Sequence, residues 1–229
     1  MTDGEALFAA VLREPDEDTP RLVYADWLEE NGLPERAEFI RVQVDLARTH
    51  TFELIRREKE LLGRFEEEWL APLKAPGQPL DGGAGAMFRR GFVEVVWMSA
   101  RAFLEKAGEL FAAAPVRELR VTRTTPDEFR KLMHSPRLAR LRGLDLSERK
   151  LGDAAVAELL RSQFSASLRE LRLRGCAITD AGAGLLAGHP FEWPLRELDL
   201  SHNPLGAATV AALRARFGES VRFEASSPT

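Results

Sequence analysis

Leucines that recur at an interval of 27 constrain this chain more than any other feature. Leu168, Leu171 and Leu173 stand with Cys176 and Ile178 in the order L-x-x-L-x-L-x-x-C-x-I. Leu195, Leu198 and Leu200 repeat the triplet one interval later, with Asn203 and Leu205 at the Cys176 and Ile178 positions. Leu141, Leu144 and Leu146 stand one interval earlier, with Leu151 at the Ile178 position. Arg149 occupies the small-residue position there, so that turn is expected to differ. Val116-Leu119-Val121 and Phe92-Val95-Trp97 come before these at slightly shorter intervals, while Val221 and Phe223 look like a truncated last strand. Leu171 and Leu173 alternate with Arg172, which makes one strand face apolar and the other charged. Thr179 follows as a helix N-cap, with Asp180 in the first turn and Leu185 and Leu186 beyond.

The spacing resembles the leucine-rich repeat of the ribonuclease-inhibitor-like kind. Helices are predicted over roughly 100–113, 126–134, 152–162, 180–188 and 206–216, with Ser99, Thr125 and Thr179 at helix starts. No single repeat can bury its apolar face alone. About five repeats over residues 91–229 are therefore expected to stack into an α/β right-handed solenoid, with a parallel concave sheet and convex helices.

Composition narrows the class. The chain has 229 residues, 45% hydrophobic and 30% charged, which suits one or two folded domains. Its single cysteine, Cys176, excludes an internal disulfide framework and a thiolate metal cluster, and a reducing compartment is the simplest reading. The N-terminus lacks a basic region and a long apolar run, so no signal peptide is expected. No stretch approaches the roughly 20 apolar residues of a membrane helix. These features point to a cytoplasmic protein. Residues 1–75 carry 18 acidic and 10 basic side chains, and residues 76–229 carry 18 and 22. Neither part has the concentrated basic stripe of a nucleic-acid binder.

Residues 1–75 are expected to form a small all-α domain. Thr2 or Asp3 caps a helix carrying Leu7, Phe8, Val11 and Leu12. The acidic turn Pro15–Pro20 lacks the glycine and distal glutamate of a calcium loop, and a helix start at Thr19-Pro20 is favoured. That second helix carries Leu22, Val23, Trp27 and Leu28 and ends at Gly32. A third helix from Pro34 presents Phe39, Ile40, Val42, Val44 and Leu46. A fourth runs from about Thr51 to Leu70. Residues 76–90, rich in glycine and proline, are expected to be a linker or irregular cap.

The run Leu7–Arg48, with Asp18-Thr19-Pro20-Arg21-Leu22, Tyr24-Ala25-Asp26-Trp27-Leu28-Glu29 and Arg36-Ala37-Glu38-Phe39-Ile40-Arg41, resembles the bacterial repeat-companion domain, a short module often followed by leucine-rich repeats. Gly91–Val96 also looks like such proteins. The resemblance implies an architecture and no activity. Tyr24, Asp26 and Trp27 admit two readings. One is a partner site for a cation or amide. The other, favoured, has Trp27 in the core, Tyr24 half-buried, and Asp26 capping or paired with an arginine such as Arg21.

Strand residues between the leucines form three columns on the face opposite the core. The first reads Glu94, Glu118, Gly143, Glu170, Glu197; the second Val96, Arg120, Asp145, Arg172, Asp199; the third Met98, Thr122, Ser147, Arg174, Ser201. Arginine and aspartate alternating down the second column suggest a self-neutralising ladder. The face as a whole, Gly143 apart, is the expected partner-binding site. The function expected is a non-catalytic protein–protein interaction module, with a protein partner of open identity and no cofactor, metal, nucleic acid or membrane. The alternative is a regulator of a partner enzyme such as a GTPase-activating protein, an analogy from the fold; Arg123, Arg142 and Arg174 are its test residues. Four scattered histidines, Cys176 as a buried repeat residue, and Gly82-Gly83-Ala84-Gly85 without a phosphate-loop lysine supply no catalytic site. Oligomeric state is open.

Overall fold

The computed structural model describes residues 2–73, 85–190 and 193–223. Nine α-helices and seven strands lie among them. They fall into two compact units.

The first unit holds the N-terminal helices, β1, β2 as far as Val96, and the stretch Gly108–Val116. Its helices are α1 (Asp3–Arg13), α2 (Thr19–Glu30), α3 (Pro34–Leu46) and α4 (Phe52–Leu70). Thr2 starts α1 through a capping box with Glu5. Thr19 does not cap α2 with its side chain as expected; Asp18 is the flanking residue, and its carboxylate is taken by Arg48 at 2.8 Å and Arg90 at 3.5 Å. The acidic turn is thus held by arginines. Gly32, at φ +81°, follows the end of α2 as predicted. Phe39, Ile40, Val42, Val44 and Leu46 are all buried. Val11, Ala25, Leu28, Ala37, Ile40, Val44 and Phe92 make one core, with Tyr24 and Trp27 packed against it.

Most of the expected linker, residues 76–84, lies outside the described residues. Residues 85–89, expected within the same irregular stretch, form strand β1 (Gly85–Arg89). A two-residue turn then leads into β2 (Phe92–Met98). Arg90 at φ +48° and Gly91 at φ +85° give the turn two left-handed residues, the signature of a tight hairpin. A Cβ on Gly91 would lie 2.6 Å from the Ile40 Cα, so the backbone approach also demands glycine. Three side chains from α2 and α3 clamp this turn. Arg21 donates to the Arg90 carbonyl at 3.0 Å, Arg36 to the Gly91 carbonyl at 2.6 Å, and the Gly91 N–H donates to Gln43 Oε1 at 2.7 Å. Arg21 and Arg36 lie in the motifs quoted above.

The second unit carries the repeats. β3 (Glu118–Val121), β4 (Gly143–Asp145), β5 (Glu170–Arg172), β6 (Glu197–Asp199) and β7 (Val221–Arg222) pair in sequence order, each parallel to the next. The register is Leu119, Leu144, Leu171, Leu198, Val221. Helix α5 (Ala100–Ala113) precedes β3; α6 (Pro126–Met133), α7 (Gly152–Arg161), α8 (Asp180–Gly188) and α9 (Ala207–Phe217) connect the later strands and pack on one another in order. Ser99, Thr125 and Thr179 cap their helices as predicted. All nine leucines of the three triplets 141–146, 168–173 and 195–200 are buried. Each full burial contributes about 1.5–3 kcal/mol, so the triplet column is a major source of the apolar stabilisation of the repeats.

The turns after the strands share a left-handed residue, and the Arg149 and Cys176 turns share a second. Glu148, Gly175 and His202, spaced by 27, all have positive φ, as do Lys150 and Ala177. The turn at Arg149 therefore does not differ in backbone, against expectation. What differs is the side chain that satisfies it. Asn203 Nδ2 donates to the Leu173 and Leu200 carbonyls at 2.7 and 3.0 Å, and Cys176 Sγ to the Leu146 carbonyl at 3.0 Å. Arg149 reaches the Thr122 and Ser147 carbonyls with its guanidinium.

Candidate functional site

The strand register sets the columns of the candidate site side by side about 4.8 Å apart. Glu118, Gly143, Glu170 and Glu197 are aligned, as are Arg120, Asp145, Arg172, Asp199 and Arg222. The alternating arginine–aspartate ladder does not form. Both arginines turn to the glutamate column instead. Arg172 is the hub: Nη1 meets Glu118 at 2.9 Å, Nη2 meets Glu170 at 2.9 Å, and Nε meets Glu197 at 3.2 Å. Arg120 joins Glu118 at 2.8 Å. Burial pulls the Arg172 guanidinium down, but Glu118, Glu197 and Glu170 together hold it above its ordinary range. Asp145 and Asp199 are left to accept the N–H groups of Ser147 and Ser201, each at 2.9 Å.

Gly143 makes the long Glu118–Arg172 bridge possible. A Cβ there would fall 2.9 Å from the Glu118 Cγ. The missing side chain leaves the slot through which Glu118 crosses β4 to reach β5. Sequence reading placed Gly143 in the column but gave it no task, because nothing local marks a slot whose occupant comes from the preceding repeat.

Burial redraws the expected site. Glu94, Val96, Met98, Glu118 and Ser201 are each under 9% exposed. Glu94 is locked between Arg21 at 2.7 Å and Arg90 at 2.9 Å, where burial pushes its carboxyl up while the two guanidinium groups pull it down. Val96 and Met98 belong to a strand covered on both faces. The run FVEVVWM is almost continuously apolar, the pattern of such a strand rather than of a half-buried one. Ser201 turns inward to Asp199, donating at 2.6 Å. The accessible remainder is Arg120, Thr122, Asp145, Ser147, Glu170, Arg172, Arg174, Glu197 and Asp199. Four acids and three arginines share that patch.

The other candidates are dispersed. Arg123 is exposed, Arg142 donates to the Ser167 carbonyl at 3.3 Å, and Arg174 pairs with Glu148 at 3.6 Å. Burial pushes the Cys176 thiol up to about 11, as suits a packing residue rather than a thiolate. Asp26 pairs with Arg41 at 2.7 Å rather than with Arg21. Tyr24 stacks on Trp27 with centroids 5.9 Å apart, and a Cβ on Gly4 would strike the Trp27 ring, so both aromatics belong to the packing. Among the described residues no group of three or more His, Cys, Asp or Glu is placed to hold a metal ion, and no helix is long and apolar enough to cross a membrane.

Strand, turn and helix recur here at the period of leucine-rich repeats. Residues 164–187 and 194–213 match the family model described as Leucine Rich repeat; the matched stretches include β5, β6 and most of α8 and α9. No curated protein matches the chain. Leucine-rich repeats generally mediate protein–protein interaction.

Proposed function

We propose that the chain is a non-catalytic interaction module that binds a protein partner on the exposed strand face of its repeats, which stack as a right-handed solenoid with that face on the inside of the curve. The observation that carries this reading is the organised charge of the patch. Arg172 and its three glutamates are joined in one ion-pair cluster, and Asp145, Ser147, Arg174 and Asp199 surround them with groups that still reach solvent. Isolated surface ion pairs contribute only about 0–1 kcal/mol each, so stability alone is a weak reason for so elaborate an arrangement. A preorganised arrangement of charge favours specificity and fast encounter with a partner of mixed charge. Residues 1–75 fit a repeat-companion domain of a bacterial protein, and the reduced single cysteine fits a cytoplasmic setting.

The test is affinity capture from native lysate with the full chain and with Thr122→Arg/Ser147→Arg. These changes add bulk to the face without removing any ion pair of the Arg172 hub. A protein held by the unaltered chain and lost by the double variant, both folded by circular dichroism, supports the proposal. Equal capture by both contradicts it.

A further inference from the structure

The first unit contains a cavity of about 380 Å³ whose walls include Phe8, Tyr24, Trp69, Phe88, Phe92 and Arg36. Its volume lies in the range of small-molecule sites, and its walls are largely apolar, as theirs are. The Arg36 guanidinium stands 4.8 Å from the Trp69 ring centroid, 5.4 Å from those of Phe39 and Phe92, and 5.6 Å from that of Phe88. Its Nη2 donates to the Gly91 carbonyl at 2.6 Å. Its Nη1 is buried and has no hydrogen-bond partner among the described residues.

Arg21 shows what is missing. It is fully buried in the same unit and lies 5.3 Å from the same Phe92 ring. It has a carboxylate, Glu94, at 2.7 Å, and a further carbonyl, that of Pro15, at 2.6 Å. Among the described residues no carboxylate comes within ion-pair distance of Arg36, and Glu68 at the cavity wall is exposed. Burial lowers the Arg36 pKa to about 10, as it does that of Arg21 even beside Glu94, so the contrast between the two lies in their partners. Ring faces attract a cation, but they do not satisfy a guanidinium N–H as an anionic oxygen does.

We propose that this cavity binds a monocarboxylate with an apolar body, its carboxylate on Arg36 Nη1 and its body among the aromatic rings. A single cation in apolar walls matches a single negative charge. A phosphate dianion would leave a buried excess charge. The carboxylate can come from a free acid or from the end of a peptide, and the two are separable by experiment.

The experiment is isothermal titration of the full chain with 3-phenylpropionate, 3-phenylpropionamide, and N-acetyl-glycyl-phenylalanine with a free C-terminus. Saturable binding of at least one carboxylate, with the amide at least tenfold weaker, is expected; which carboxylate binds more tightly identifies the source. Arg36→Met is expected to abolish the difference between acid and amide. Equal binding of acid and amide, or no binding of either carboxylate, overturns the proposal. The acid–amide comparison needs no variant, so it stands even if Arg36→Met fails to fold.

Discussion

Three unlike residues do one job in this chain. Arg149, Cys176 and Asn203 each donate to a carbonyl just after the strand of the preceding repeat. Asn203 does the most, because its Oδ1 also accepts the Ile178 N–H at 2.9 Å. Replacing Asn203 with alanine leaves three carbonyls, those of Leu173, Leu200 and Ser201, and an N–H without that partner. The expected loss is about 1–3 kcal/mol in urea unfolding, and a change within error would contradict the assigned role. The position was legible for Cys176 and Asn203 because small or amide side chains fit a buried turn. Arginine at that position read as an interruption, since its reach to the Thr122 carbonyl depends on a backbone the sequence does not print.

At the scale of elements, the repeats are joined by aspartates at their helix starts. Asp153 in the first turn of α7 accepts the Thr179 N–H at 2.8 Å and the Thr179 hydroxyl at 2.7 Å. Asp180 in α8 accepts the Gly206 N–H at 2.8 Å, one repeat further on. The hydroxyl of Thr179 holds the Asp153 carboxyl below its ordinary value near 3.8, and the hydroxyl of Thr209 does the same for Asp180. A depressed folded-state value means stability that is present above about pH 4 and is lost as pH falls through the lower value. The unfolding midpoint should therefore differ between the unaltered chain and Asp153→Asn/Asp180→Asn at pH 6, and the difference should shrink below about pH 4. A difference that does not change with pH would show that these carboxylates carry no linked protons. Helices were the most legible elements, since caps and periodicity set α5 to α9 nearly to the residue. The hairpin β1–β2 was not legible. Its first strand follows a glycine- and proline-rich stretch, and its turn, Arg90-Gly91, is fixed by Arg21, Arg36 and Gln43 from helices far away in sequence. Strand β2 was found but its faces were misjudged, because the alternation rule was applied to a run that is apolar throughout.

For the molecule as a whole, the repeat period dictated the parallel order β3 to β7 and the face on which the charged columns stand. It did not dictate which charges pair. Arg172 chooses glutamates over aspartates because the longer carboxylates reach across strands, and Glu118 does so through the gap at Gly143. The accessible patch is therefore narrower than the columns suggested, starting at Arg120 rather than at Glu94. The aromatic cavity with Arg36 had no sequence signature, since its walls come from α1, α2, α3, α4, the end of α5 and the hairpin. The proposed binding face is tested most directly by carboxyl-group footprinting mass spectrometry of the full chain with and without a captured partner. Protection of Asp145, Glu170, Glu197 and Asp199, with Asp127 on α6 labelled equally in both states, is the predicted result. Protection confined to the helices, with those four carboxylates unchanged, would contradict a strand-face binding site.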